Sequence, residues 1–210
     1  MDKTIIKQML SELKPETSGG GTHGVYQDIV DKTGEVILKG IRSSTDRIAY
    51  IGNNLSGSLL DIGCNLGSFC HYYQMQGVEC TGIDINPVFI KWAKAINPKV
   101  IYHCLDMDRD PLWHPIFNRK YTTVLFLAVF DYFRYPEKIA EQLKSLTGRI
   151  LYFEGHADGP IRIDSDISEK GRLYKSWNYI LDNVLKVKHE FLGFTDNGRR
   201  PFWRCSYDNA

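Results

Sequence analysis

The sequence predicts an α/β fold, a doubly wound and mostly parallel sheet that finishes in an antiparallel hairpin. Three observations carry this prediction. Between Ser58 and Glu154, short apolar runs alternate with amphipathic helical stretches, the pattern of parallel strands joined by helical crossovers. The run Thr122 to Ala128 is dominated by apolar residues, as a strand buried on both faces should be. The two last strand-like runs, Lys186 to Thr195 and Arg199 to Tyr207, are joined by Asp196-Asn197-Gly198. That turn favours positive backbone angles and closes a hairpin, so the final strand should run antiparallel to its neighbours.

Taken in order, a short amphipathic helix spans about Lys3 to Leu13, followed by the glycine-rich stretch Ser18 to Gly24, read as a hinge or lid. From Tyr26 to Ile51 the apolar spacing predicts helix, with Ile37, Leu38, Ile41, Ile48 and Ile51 near one side. After Gly57 the pattern turns to strand at Ser58 to Ile62, then helix from Leu66 to Gln76. A second strand is Cys80 to Ile85, and Pro87 opens a helix through Ile96, where proline is well tolerated. Val100 to Cys104 and Thr122 to Ala128 are the next strands. Helix at Pro136 to Leu146, strand at Arg149 to Glu154 and a longer helix at Ser168 to Val184 complete the run. Residues 1–50 read as a helical lid or extension and 51–210 as the main domain.

Composition narrows the function classes. The 210 residues are 43% hydrophobic and 24% charged, with 26 basic against 25 acidic side chains and a net charge of +1. A near-neutral chain has no global field for nucleic acid or anionic membrane. The five cysteines have no paired or zinc-like spacing. His71, His103, His114 and His189 are scattered, so no metal site is expected. The N-terminal residues lack the apolar stretch of a signal peptide, and no window suits a membrane span. A cytoplasmic location is the expectation.

The sharpest signal is Asp61-Ile62-Gly63-Cys64-Asn65-Leu66-Gly67, directly after a strand and opening a helix. In open parallel sheets, ligands gather beyond the carboxyl ends of strands. Gly63 and Gly67 let backbone approach a ligand, and Asn65 tolerates a left-handed conformation better than most residues. Asp84 ends the second strand seventeen residues after Gly67, placed to accept both hydroxyls of a ribose, with Ile85 beside it. At Leu105-Asp106-Met107, Asp106 is positioned to accept from an adenine amino group between two apolar neighbours.

These residues resemble the class I S-adenosylmethionine-dependent methyltransferases. Asp61 to Gly67 stands where that family has its acidic, glycine-rich motif. Asp84 stands at its ribose-binding acid, and residues 105 to 107 at its adenine loop. The resemblance covers about Gly57 to Tyr207. It implies a Rossmann-like seven-stranded sheet, a methyltransferase activity and S-adenosyl-L-methionine as cofactor. It further implies that Asp61 and Gly63 serve the methionine end and that Leu127 or Ala128 lines the floor. An N-terminal arginine, Arg42 near Tyr26, would pair with the methionine carboxylate. Asn65 replaces the middle glycine of the motif, a departure that bears on substrate subclass.

The acceptor side carries less pattern. Leu127 to Phe133 lacks the Asn/Asp-Pro-Pro-aromatic sequence of many amino-directed methyltransferases. An apolar, aromatic floor suits oxygen methylation of a small molecule such as a sugar or nucleotide-linked sugar. His156 is the candidate general base. Glu154 would orient it or act in its place, and Asp131 and Tyr132 are further candidates. Arg199, Arg200 and Arg204, interleaved with Phe202 and Trp203, raise RNA as the alternative acceptor. A non-catalytic cofactor-binding module is the third reading. The terminal hairpin and Asn65 argue against a nicotinamide oxidoreductase.

Overall fold

The computed structural model describes residues 3–13, 25–109, 114–156, 161–163, 172–174 and 176–207. The chain divides into two compact units, Met1–Leu105 and Asp106–Ala210. The predicted hinge at 18–24 lies outside the described residues.

In the first unit, helix α1 (Lys3–Glu12) precedes the hairpin β1 (Ile29–Val30) and β2 (Val36–Leu38) and helix α2 (Thr45–Ile51). Then come β3 (Ser58–Ile62), α3 (Ser68–Gln74), β4 (Glu79–Asp84), α4 (Pro87–Ile96) and β5 (Ile101–Cys104). Strand β4 pairs parallel with β3 and with β5. The Asn86 side chain accepts the Val88 amide at 2.9 Å, capping α4 ahead of Pro87. Met9 and Leu13 pack with Val25, Ile29, Leu66, Phe89, Trp92 and Ile96 in one buried cluster. The N-terminal helix is thereby tied to the helix after β4 by apolar burial.

The continuous helix expected from Tyr26 to Ile51 is corrected. Only Thr45–Ile51 is helical. The Asp31 side chain accepts the Thr33 amide at 2.8 Å and the Glu35 amide at 3.0 Å, while Gly34 takes φ 89°. That local turn chemistry, flanked by β-branched residues, outweighs the helical spacing.

In the second unit, β6 (Tyr121–Leu127) is followed by α5 (Pro136–Leu146) and β7 (Thr147–Glu154), and β6 and β7 pair parallel. A small antiparallel pair, β8 (Ile161–Ile163) and β9 (Arg172–Tyr174), precedes α6, a helical turn at Trp177–Tyr179 that continues as π-helix over Ile180–Leu185. The hairpin β10 (Lys188–Thr195) and β11 (Arg200–Ser206) ends the fold. The helix expected at Ser168 to Val184 is thus shorter: Arg172–Tyr174 is extended, and Ser176 caps the helix by accepting the Tyr179 amide at 3.2 Å.

The strands make up the seven-stranded, mostly parallel sheet that was expected, in the order β3-β4-β5 within the first unit and β10-β11-β7-β6 within the second. Strand β11 runs antiparallel to both β10 and β7. Asp196, Asn197 and Gly198 take φ 53°, 58° and 81°, the positive angles that the turn requires. No helix among the described residues is long and apolar enough to cross a membrane.

Candidate functional site

The turn after β3 is built by three left-handed residues. Gly63, Asn65 and Gly67 have φ 75°, 51° and 75°. The Gly63 and Cys64 amides both donate to the Ile83 carbonyl at 2.9 Å, fixing the turn against β4. The Asn65 amide donates to Asp84 Oδ2 at 2.8 Å and the Asn86 amide to Asp84 Oδ1 at 2.9 Å. Asp84 is therefore held by one backbone donor on each oxygen, half-buried at the tip of β4. Burial raises its pKa and the amides oppose that. Beside it the Ile85 side chain is 63% exposed, an apolar surface without a covering partner in its own unit.

Tyr102 is wedged beneath the turn. A Cβ at Gly67 would strike its hydroxyl, and one at Gly82 would come within 2.7 Å of its ring and 2.9 Å of Cys64 Sγ. These two positions admit only glycine at this approach. The Tyr102 hydroxyl is buried without a hydrogen-bond partner among the described residues.

Asp61 is only 3% exposed, and among the described residues its side chain has just the Cys70 thiol, 4.0 Å away. Burial first, and then the nearby Asp84 charge, push its pKa up to about 7. A buried carboxylate lacking a cation fits the ammonium group of an amino-acid ligand, as the fixed Asp84 carboxylate and exposed Ile85 fit a nucleoside. Burial drives the Cys64 and Cys70 thiols far up and those of Cys80 and Cys205 to about 12. All five thiols are free, and these four are no nucleophiles.

Tyr26 and Arg42 sit on adjacent extended segments, the Arg42 amide donating to the Tyr26 carbonyl at 2.9 Å. Between them lies a connection absent from the sequence reading. The Ser44 hydroxyl donates to the Asp28 carbonyl at 2.7 Å, and so does the hydroxyl of Ser68, the first residue of α3. The buried Asp28 carboxylate meanwhile takes the Gly40 amide at 2.7 Å and Lys39 Nζ at 3.0 Å. The N-terminal segment is thus fastened to the helix that follows the glycine turn.

Leu105 ends the first unit, and the remaining candidates lie in the second. Asp106 accepts the Asp108 amide at 2.9 Å and lies 3.7 Å from Arg109 Nε. Leu105 and Met107 are buried at 6% and 2% exposure, and the Met107 carbonyl accepts Gln142 Nε2 at 3.2 Å. Asp108 accepts the Arg134 amide at 3.0 Å and the Tyr135 amide at 3.3 Å, ordering the approach to α5.

At the end of β6, Leu127 is buried and Ala128 takes φ 53°, a conformation that costs a non-glycine residue energy and tends to mark working sites. It turns the chain so that Asp131 Oδ1 lies 2.6 Å from His156 Nδ1, just beyond β7. The two atoms are in close contact without the alignment of a full hydrogen bond. The Tyr132 ring, 74% exposed, stands edge-on to the His156 ring at 5.6 Å. Trp177 Nε1 donates to the His156 carbonyl at 3.2 Å and fills the space a side chain at Gly155 would need.

Glu154 faces inward. It is 1% exposed, accepts the Thr195 hydroxyl, and lies 3.5 Å from Arg200 Nη1, whose Nε is 3.5 Å from Asp196. The hairpin arginines therefore do not act together: Arg200 is buried in this ion cluster, while Arg199 and Arg204 are exposed.

A family model described as a methyltransferase domain matches residues 37–188. The chain belongs to this family. It is a class I S-adenosylmethionine-dependent methyltransferase, and S-adenosyl-L-methionine is the cofactor of its class. No curated protein matches the sequence of this methyltransferase. Among solved structures, a TehB-like SAM-dependent methyltransferase from Corynebacterium glutamicum is 14% identical with TM-score 0.54, covering 78% of this chain and 94% of that one. A SAM-dependent methyltransferase from Bacteroides fragilis in complex with S-adenosyl-L-homocysteine is 16% identical, with TM-score 0.54 and 77% and 76% of the two chains covered. The PH0226 protein from Pyrococcus horikoshii is 12% identical with TM-score 0.57, covering 78% of this chain and 87% of that one. At these identities the likeness is one of fold.

Proposed function

We propose that this methyltransferase methylates a hydroxyl oxygen of a small-molecule acceptor, such as a sugar or nucleotide-linked sugar, with His156 as general base. The observation that carries this reading is the 2.6 Å contact between His156 and Asp131. Asp131 favours the tautomer with the proton on Nδ1, leaving the other ring nitrogen to take the acceptor proton. Tyr132 offers an exposed ring beside the imidazole. Glu154, tied to Thr195 and Arg200, anchors the strand end from which His156 projects.

The cofactor roles are assigned residue by residue. Asp84 takes the ribose hydroxyls, Ile85 and the Leu105–Met107 loop the adenine, and Asp61 the methionine ammonium. The turn from Gly63 through Cys64 and Asn65 to Gly67 shapes that cradle, Arg42 and Tyr26 serve the carboxylate end, and Leu127 the floor. When bound, the cofactor supplies a methyl carbon on a sulfonium leaving group; the protein aligns the acceptor, excludes water and removes a proton. Residues 1–50 are assigned as the extension over this site and 51–210 as the catalytic domain. Five free thiols support a reducing, cytoplasmic setting. RNA as acceptor draws less support, because Arg200 is engaged in an internal ion cluster.

The test is transfer of labelled methyl groups to a panel of sugars, nucleotide sugars and RNA. His156→Gln should lower turnover by about 10²- to 10⁴-fold, the usual span for a general base, and Asp131→Asn by less. Affinity for S-adenosyl-L-homocysteine should stay unchanged in both. Full turnover in His156→Gln rules out its role as base, and labelling of RNA alone rules out the small acceptor.

A further inference from the structure

The structure carries a concave feature at the opposite end of β7 from His156. A cavity of about 400 Å³ is lined by Arg149, Lys188, His189, Glu190, Arg204 and Ser206, together with Ile150 and Cys205. Arg149 lies five residues before Glu154 on the same strand, roughly 16 Å away at ordinary strand rise. The feature belongs wholly to the second unit and shares no residue with the methyl-transfer site.

Its charge is uneven. Arg149, Lys188 and Arg204 face one carboxylate, Glu190, while the whole chain carries a net +1. Glu190 stands opposite Arg204 in the β10–β11 register, yet the two form no ion pair. Neither the Arg149 nor the Arg204 guanidinium has a hydrogen bond or ion pair among the described residues. His189 is otherwise occupied, with Nε2 2.9 Å from Asp182. Burial raises the pKa of Tyr152, and Arg204 and Arg149 pull it back, so both guanidinium groups act on one point of this sheet. Unpartnered guanidinium groups beside a lysine and a hydroxyl make a receptor for a tetrahedral oxyanion, which arginine forks grip bidentately.

We propose that this depression binds the phosphoryl group of a small phosphorylated metabolite. Arg149 and Arg204 grip the oxyanion, and Lys188 and the Ser206 hydroxyl complete its shell. The volume suits a small ligand, at the lower end of the roughly 300–1,000 Å³ of ordinary ligand sites. An RNA strand would need a track of cations along several phosphates, and this is a single depression on a near-neutral chain.

Calorimetry of the full chain with inorganic pyrophosphate, and separately with a short single-stranded RNA, tests the assignment. Pyrophosphate should bind, and Arg149→Gln with Arg204→Gln should weaken it by about tenfold or more, the scale of one lost charge-assisted contact. Glu190→Gln should tighten it, a gain that a misfolded variant does not produce. Affinity for S-adenosyl-L-homocysteine should stay the same throughout, which separates this site from the cofactor reading. Absence of pyrophosphate binding overturns the proposal, as does affinity indifferent to the arginine or Glu190 substitutions. RNA that binds more tightly than pyrophosphate, steeply weakened by salt and by the same substitutions, overturns the small-metabolite assignment.

Discussion

The Asn65 amide donates to the Asp84 carboxylate at 2.8 Å, and Asn65 reaches it by taking φ 51°. The turn after β3 and the acid at the tip of β4 are therefore set by one another. An acid fixed in this way needs no rearrangement to meet a ribose, which lowers the ordering cost of binding.

Asn65→Gly should be tolerated, because glycine adopts the left-handed angle freely and keeps the amide. Asn65→Ala should cost about 1–2 kcal/mol of stability and weaken cofactor-product binding with it. Thermal melts and calorimetry of the two variants provide the comparison, and equal behaviour of alanine and glycine would exclude a role for the backbone angle.

Asp61 links pH to both stability and binding. Its folded-state pKa of about 7 lies above the ordinary 3.8, so the folded protein keeps a proton that the unfolded chain releases. The stability this contributes is complete below about pH 4 and is lost as pH rises through about 7. Asp61→Asn should abolish that slope in melting temperature. Since an ammonium group selects the carboxylate form, S-adenosyl-L-homocysteine should bind the wild type more tightly at about pH 8 than at about pH 6. Equal affinity at both would argue against an ammonium partner for Asp61.

Tyr102→Phe should stabilise the fold by about 1 kcal/mol, because it deletes a buried hydroxyl that has no partner among the described residues. Gly67→Ala should destabilise through its φ of 75° and its contact with that hydroxyl. Combining the two should recover part of the loss. Chemical denaturation reads all three, and additivity would mean that the residues do not touch.

The sequence was legible where structure is set by neighbours in the chain. The Gly63–Gly67 turn, the Pro87 helix start and the Asp196–Gly198 hairpin are each specified by residues whose backbone preferences act locally. The β1–β2 hairpin escaped because Ile37, Leu38 and Ile41 mimic helical spacing, although Asp31 followed by Thr33 and Gly34 was a usable turn signal. The tie from Ser68 to Asp28 crosses forty residues and has no local signature. Asp131 and His156 were each legible as candidates by type and strand end. Their pairing was not, since it depends on the left-handed turn at Ala128. Glu154 and Arg200 likewise found each other only through the β7–β11 pairing.

The most direct test is calorimetric titration of S-adenosyl-L-homocysteine into the wild type and into Asp84→Ala. Wild type should bind, and the variant should bind about a hundredfold more weakly, the effect of losing two hydrogen bonds to a charged group. Binding that survives Asp84→Ala unchanged, or no heat from the wild type, would contradict a nucleoside held at the tip of β4.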